Sequence, residues 1–221
     1  MTTASDAVRS VPLIARDALF GNPVRSGGTI SPDGKWLGWM APHEGVMNVF
    51  VAPFDKPDEA RRMTGATVRP IPFFAFTRDS ASVLYIQDKA GDENYLLYQV
   101  DMASGEERTL TPFENTRAGV IGGSQTLRDQ LLVGLNNRNP QYHDVYRLNL
   151  TSGALELVMQ NDAFAAFLAD DTLTLRWAIR QNDAGGSDMF EIAHGKVSET
   201  PRESTTLEDS MTTRPAGYTT D

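Results

Sequence analysis

The sequence contains no cysteine in 221 residues. Disulfides, thiolate metal sites and a cysteine nucleophile are therefore excluded. Long apolar runs are lacking as well. Nothing approaches the roughly 20 apolar residues of a membrane span, and the opening stretch MTTASDAVRSVPLIARDALFG has no uninterrupted apolar core of secretory length. A cytoplasmic protein is the expectation. Positive charge is scarce: 20 lysines and arginines stand against 29 aspartates and glutamates, a formal net charge of −9. No basic run or basic-aromatic patch offsets this, which argues against nucleic acid or an anionic membrane as partner and reads as a solubilising surface.

Catalytic motifs are also lacking. A nucleophile elbow needs glycine two residues before and two after the serine. Ser124 has Gly122 before but Thr126 after, and Ser187 has Gly185 before but Met189 after. There is no phosphate-binding loop with lysine, no dinucleotide fingerprint and no His-Glu-x-x-His helix. The three histidines, His43, His143 and His194, are scattered. His143 adjoins Asp144, but neighbouring strand residues point to opposite faces and cannot easily share a ligand. No catalytic residue, cofactor or metal site is expected in this chain.

What is present is a repeat. In 95–111, YLLYQVDMASGEERTLT, Leu96, Tyr98 and Val100 alternate with Leu97, Gln99 and Asp101, the period of two of a pleated strand. Ser104-Gly105 supplies a turn, and Arg108 and Leu110 lie on the return strand. The same order of strand, turn and strand recurs at 46–64, 143–159 and 188–199. The aromatic of the first strand falls at Phe50, Tyr98, Tyr146 and Phe190, spaced by 48, 48 and 44 residues. Aspartates in a preceding turn, Asp33, Asp79, Asp129, Asp171 and Asp221, keep a similar register of 46, 50, 42 and 50.

Each unit accommodates four strands, and four strands per 40–50 residues is the signature of a propeller blade. The expected fold is all-β: a β-propeller of four-stranded antiparallel blades, about four of them plus the start of a fifth, hence incomplete. Residues 1–26 form a tail and anchoring segment, with 1–10 disordered and 11–23 a short helical turn or extended anchor. The partial propeller occupies 27–221, with blades at 27–66, 67–113, 114–161 and 162–202, and the fifth opening at 214–221. Loops are expected at 42–45, 88–94, 136–142 and 181–187, and a polar linker at 199–213. A repeated β-sandwich is the structural alternative.

Candidate binding residues are few. Asp88, Asp92 and Glu93 crowd one loop, which suits a cation or a peptide's amino terminus, though solvation of a hairpin loop accounts for them as well. Arg117, Arg138 and Arg147 suit a substrate carboxylate or blade-to-blade ion pairs. Asp92, Glu93 and Arg138 are retained as substrate-binding candidates. Trp36, Trp39 and Trp177 fall in second strands and read as blade packing.

Three stretches carry a family resemblance: ALFGNPVRSGGTISPDGKWLGWMAP (18–42), YIQDKAGDENYLLYQVDMASGEERTLTPF (85–113) and LVGLNNRNPQYHDVYRLNLTSGALELV (132–158). Together they resemble the N-terminal propeller of the prolyl oligopeptidase family of serine peptidases, in its acylaminoacyl-peptidase-like and dipeptidyl-peptidase-like branches. ISPDG is shared by many propellers; the other two stretches are more specific.

The resemblance implies a gating lid that admits only short peptides to an α/β-hydrolase domain bearing serine, aspartate and histidine. That catalytic domain is absent from this chain, so a truncated fragment, inactive alone, is implied. Short peptides are then the partner, reached through the hydrolase domain. The alternative is a stand-alone, protein-binding propeller of the Tol type. An open four-blade arc also exposes apolar blade faces, so self-association is expected.

Overall fold

A computed structural model describes residues 13–21, 24–210 and 212–213. The expected tail at 1–10 and the opening of a fifth unit at 214–221 lie outside the described residues.

The strands form four antiparallel sheets, each a simple meander in chain order. Blade one comprises β1 (Ser26–Ile30), β2 (Trp36–His43), β3 (Val46–Pro53) and β4 (Arg61–Arg62). Blade two comprises β5 (Phe74–Phe76), β6 (Ser82–Gln87), β7 (Leu96–Asp101) and β8 (Glu107–Thr109). Blade three comprises β9 (Ala118–Gly123), β10 (Gln130–Asn139), β11 (Tyr142–Asn149) and β12 (Leu155–Met159). Blade four comprises β13 (Ala166–Ala169), β14 (Leu175–Gln181), β15 (Ser187–Ala193) and β16 (Lys196–Val197), with β17 (Glu203–Ser204) also paired to β15. The incomplete propeller is the observed architecture.

Alternation along each strand sends successive side chains to opposite neighbours, and three cores result. Val49 and Val51 of blade one meet Phe74, Val83 and Val100 of blade two. Leu84 and Leu97 face the other way, onto Leu131, Val133 and Leu135 of blade three. Leu132 and Val145 turn from that core into the next, with Phe167, Ala178 and Phe190 of blade four. Each fully buried aliphatic side chain contributes about 1.5–3 kcal/mol, so blade-to-blade packing is the principal cohesion here. Blades one and two also approach closely at Gly38, where a Cβ would lie 2.8 Å from Phe74 Cε2 and 2.9 Å from Phe76.

The hairpin turns repeat down to the atom. Asp101 Oδ1 accepts from Ala103 N, Ser104 N and Ser104 Oγ, and Asn149 Oδ1 accepts from Thr151 N, Ser152 N and Ser152 Oγ. Gly105 and Gly153 follow at φ of 76° and 75°, a backbone conformation that glycine adopts without steric cost.

Several expected boundaries move. The loop expected at 42–45 shrinks to a turn at Glu44-Gly45, because His43 pairs with Val46 and Pro42 with Met47. Asn136–Asn139, expected as loop, continues β10 through a register irregularity after Leu135. The polar linker is structured too: β17 completes the edge of blade four, and α2 (Leu207–Ser210) sets Leu207 against Gly185. The turn aspartates do not share one role. Asp33 and Asp79 each accept from the hydroxyl two residues earlier, Ser31 or Thr77. In blade four Asp170 closes the turn, and Asp171 instead receives the N–H of Gln125 from blade three at 2.6 Å. The helical alternative holds for the anchoring segment, as α1 (Arg16–Phe20), although no residue of that helix is buried.

Candidate functional site

In an antiparallel meander the connections alternate between two rims. The turns after the first strands (31–36, 77–82, 124–130, 170–174) share one rim, and the loops at 88–94 and 140–141 lie on the other. Between the rims, β1, β5 and β9 line the inner side of the arc around a cleft of about 760 Å³. Ile30, Phe73 and Val120 are each about half exposed there, at 51%, 58% and 48%. The lining includes Gly27, Gly28, Gly119 and Gly123; at Gly28 and Gly119 an added Cβ would meet nothing within 4 Å. Among the described residues each inner strand forms a ladder on one side only, with β2, β6 and β10, and on β9 the Ala118 N–H is already taken by the Tyr95 carbonyl of blade two at 2.7 Å.

Arg78 and Arg128 stand at the turn rim of this cleft. Neither has a carboxylate oxygen within 4.0 Å among the described residues. Arg128 Nε donates to the Gln125 carbonyl at 3.3 Å. In the amide orientation that satisfies both groups, Gln125 Oε1 accepts from Arg78 Nη1 at 3.1 Å and Nη2 at 3.3 Å. Asp171, nearby, is held below the usual carboxylate range by the Gln125 N–H, by the Thr126 hydroxyl and more weakly by Arg78. The arrangement offers an apolar, glycine-floored trough ending in two cations.

The residues singled out from sequence do not converge there. Asp92 accepts from the N–H groups of Lys89 and Asn94, both at 3.1 Å, and these, chiefly Asn94, lower its pKa. Buried Asp88 lies 3.7 Å from Arg69 Nε and accepts from the Glu93 N–H at 3.3 Å. Glu93 itself sits at a φ of 59°, exposed, and its carboxylate has no hydrogen-bond partner among the described residues. Arg138 is engaged by Asp144, Asp162 and the Asn161 carbonyl. Arg117 covers the Tyr95 ring at 5.7 Å, and Arg147 reaches the Leu173 carbonyl of blade four at 3.4 Å.

His143 is half-buried over Gly134, whose missing side chain makes room for it. Burial, then the Arg117 charge, pushes its pKa below the usual histidine value. Among the described residues no group of three or more histidine, aspartate or glutamate side chains is placed to share a metal ion. No helix among them is long and apolar enough to cross a membrane.

Arg78 and Arg128 were not among the candidates from sequence. The signal was present in the turns, where Arg78-Asp79 and Arg128-Asp129 occupy matching places in units two and three. Attention to the aspartate of each turn hid the arginine beside it.

No protein-family model matches the chain. Dipeptidyl aminopeptidase BIII of Pseudoxanthomonas mexicana is 42% identical to it over 224 residues, covering 99% of this chain and 32% of that protein. Dipeptidyl peptidase family member 6 of Caenorhabditis elegans is 28% identical over 206 residues, covering 90% of this chain and 28% of that protein. The chain thus spans about a third of the length of the curated relatives it matches. Among solved structures, a prolyl endopeptidase superposes with a TM-score of 0.58 at 13% identity, over 83% of this chain and 28% of that one. That last likeness is one of fold.

Proposed function

We propose that this chain, a propeller segment related to the N-terminal propellers of prolyl oligopeptidase-family peptidases, is the gating lid of a serine peptidase that hydrolyses short peptides. The observation that carries the reading is the 42% identity to a dipeptidyl aminopeptidase along 99% of the chain. An identity that high along the blades favours a peptidase lid over a stand-alone propeller that binds a protein. The nucleophile, its base and the oxyanion-stabilising groups would belong to an α/β-hydrolase domain outside this chain, which would then be a fragment of a longer protein. The blades would exclude folded proteins and pass short, flexible peptides.

Within this reading Glu93 and Asp92 are the loop carboxylates offered to a peptide's amino group. Glu93 is the better placed, because Asp92 already accepts three hydrogen bonds from its own loop. Arg138 would contribute indirectly, by shaping the same rim.

The test is fluorophosphonate labelling of a source lysate, followed by capture with an antibody against this chain. A labelled polypeptide much larger than 24.3 kDa is expected. Capture of only an unlabelled protein of that size overturns the proposal. The gating role is tested on the captured enzyme with a chromogenic dipeptidyl substrate and a folded protein, and equal cleavage of both rejects it. Cytoplasmic residence is part of the proposal, and recovery in an exported fraction rejects that part.

A further inference from the structure

We propose that the cleft on the inner side of the arc binds the carboxyl-terminal end of short, extended, apolar peptides, with Arg78 and Arg128 receiving the terminal carboxylate. Three observations meet there. Two arginines without an acidic partner within 4.0 Å among the described residues stand at one end of a cleft, in a chain whose net charge is −9. Most of such a surface repels anions, whereas the charged side chains lining this cleft are Arg78 and Arg128.

The walls say what accompanies the carboxylate. Ile30, Phe73 and Val120 line the cleft and are each about half exposed. An axis filled by the protein's own side chains would carry bulk at every lining position, yet Gly28 and Gly119 leave open space there. Apolar groups of a ligand fit where those side chains are lacking.

The strand edges distinguish a peptide from another apolar acid. Among the described residues β1, β5 and β9 each form a ladder on one side only. Their remaining N–H and C=O groups can be matched by an extended backbone, as in strand addition, but not by an aliphatic chain. Arg78 and Arg128 then fix direction, with the peptide's carboxylate at the turn rim. This deepens the proposed function and rests on it only in treating the peptide as a substrate or product.

The experiment uses the 221-residue chain and needs no catalysis, so its result is independent of fluorophosphonate labelling. An alanine-valine tetrapeptide with an amino-terminal dye, prepared as the free acid and as the carboxamide, is titrated with the chain by fluorescence anisotropy. The acid is expected to bind about tenfold tighter or more, as befits charge-assisted hydrogen bonds. That preference should vanish in the Arg78→Gln/Arg128→Gln double variant, whose melting temperature should match the parent because both residues are exposed. Gly119→Leu should weaken acid and amide alike by filling the cleft. Equal binding of acid and amide, no binding of either, or an acid preference that survives in the double variant overturns the proposal. So does octanoate competing as well as the unlabelled peptide acid, since the site would then be one for aliphatic acids.

Discussion

Arg138 grips Asp144 with two prongs, Nε to Oδ2 at 2.7 Å and Nη2 to Oδ1 at 2.8 Å. The carboxylate is 1% exposed, and its Oδ1 also accepts the Asn161 N–H at 2.7 Å. Asp144 occupies in β11 the place that Asn48 holds in β3, one residue before Val145 and Val49. Asn48 ties the chain leaving blade one, through Thr64 and Ala66, and Asp144 ties the chain leaving blade three, through Asn161. A fixed structural position has been filled once by a neutral amide and once by an ion pair. The arginine that suggested substrate binding in the sequence is thereby accounted for by the fold.

Replacing Arg138 leaves a buried carboxylate without its cation, which is costlier than losing an exposed pair. Arg138→Gln should lower the melting temperature clearly more than Arg202→Gln, which breaks the exposed pair with Glu191. Asp144 is held below the usual carboxylate range, chiefly by Arg138. Its folded pKa lies under its unfolded value, so its contribution is complete above about pH 4 and fades as pH falls through the folded pKa. The gap between parent and Arg138→Gln in urea midpoint should therefore narrow in acid. A gap that stays constant from pH 7 to pH 3 would exclude this pair as its source.

His143 titrates with the opposite chemistry but the same slope. Its folded pKa is depressed by burial and then by Arg117, so the unfolded chain binds the extra proton first as pH falls below about 6.5. Stability should rise with pH between the folded pKa and that value. His143→Gln should flatten the dependence of urea midpoint on pH between 5 and 7. If the slope persists in the variant, another group titrates there.

Strand periodicity made the blades legible because successive side chains alternate between the preceding and the following blade, and the cores at Val83/Leu84 and Leu131/Leu132 record that alternation. Turn chemistry was legible for the same local reason at Ser104-Gly105. The cleft was not. Its walls come from three blades whose inner strands are short, and β5 has only Phe74–Phe76. Arg78 and Arg128 are 50 residues apart, and only the side-by-side packing of blades two and three brings their turns together at one rim. The polar run 199–213 was misjudged because edge pairing satisfies backbone groups whatever the side chains are. Thr205 N, for instance, donates to the Ser187 carbonyl at 2.8 Å.

Glycines in this chain divide into those that close an interface and those that leave a space, and two substitutions separate them. At Gly38 a methyl group would press on Phe74 and Phe76 at 2.8–2.9 Å, whereas at Gly119 it would meet nothing within 4 Å. Gly38→Ala should destabilise by about 1–3 kcal/mol through overpacking of blades one and two. Gly119→Ala should lie within about 0.5 kcal/mol of the parent, as surface changes do. Urea denaturation of both variants checks this, and equal midpoints would mean that blade two gives way at Phe74.

The amino-terminal segment presents a different surface. Leu13, Ile14, Leu19 and Phe20 are 98%, 66%, 59% and 76% exposed, and α1 buries none of its residues. Apolar side chains gathered in so short a stretch favour contact with another apolar surface, and a second copy of the chain supplies one. Self-association is therefore expected, read as a concentration-dependent sedimentation coefficient. Serine at Leu13, Ile14, Leu19 and Phe20 together should return the chain to a monomer without shifting its melting transition, because these residues lie outside the three blade cores. If the quadruple variant still associates, the contact runs through the blade faces instead. A parent chain that is monomeric at every concentration would remove self-association from the account altogether.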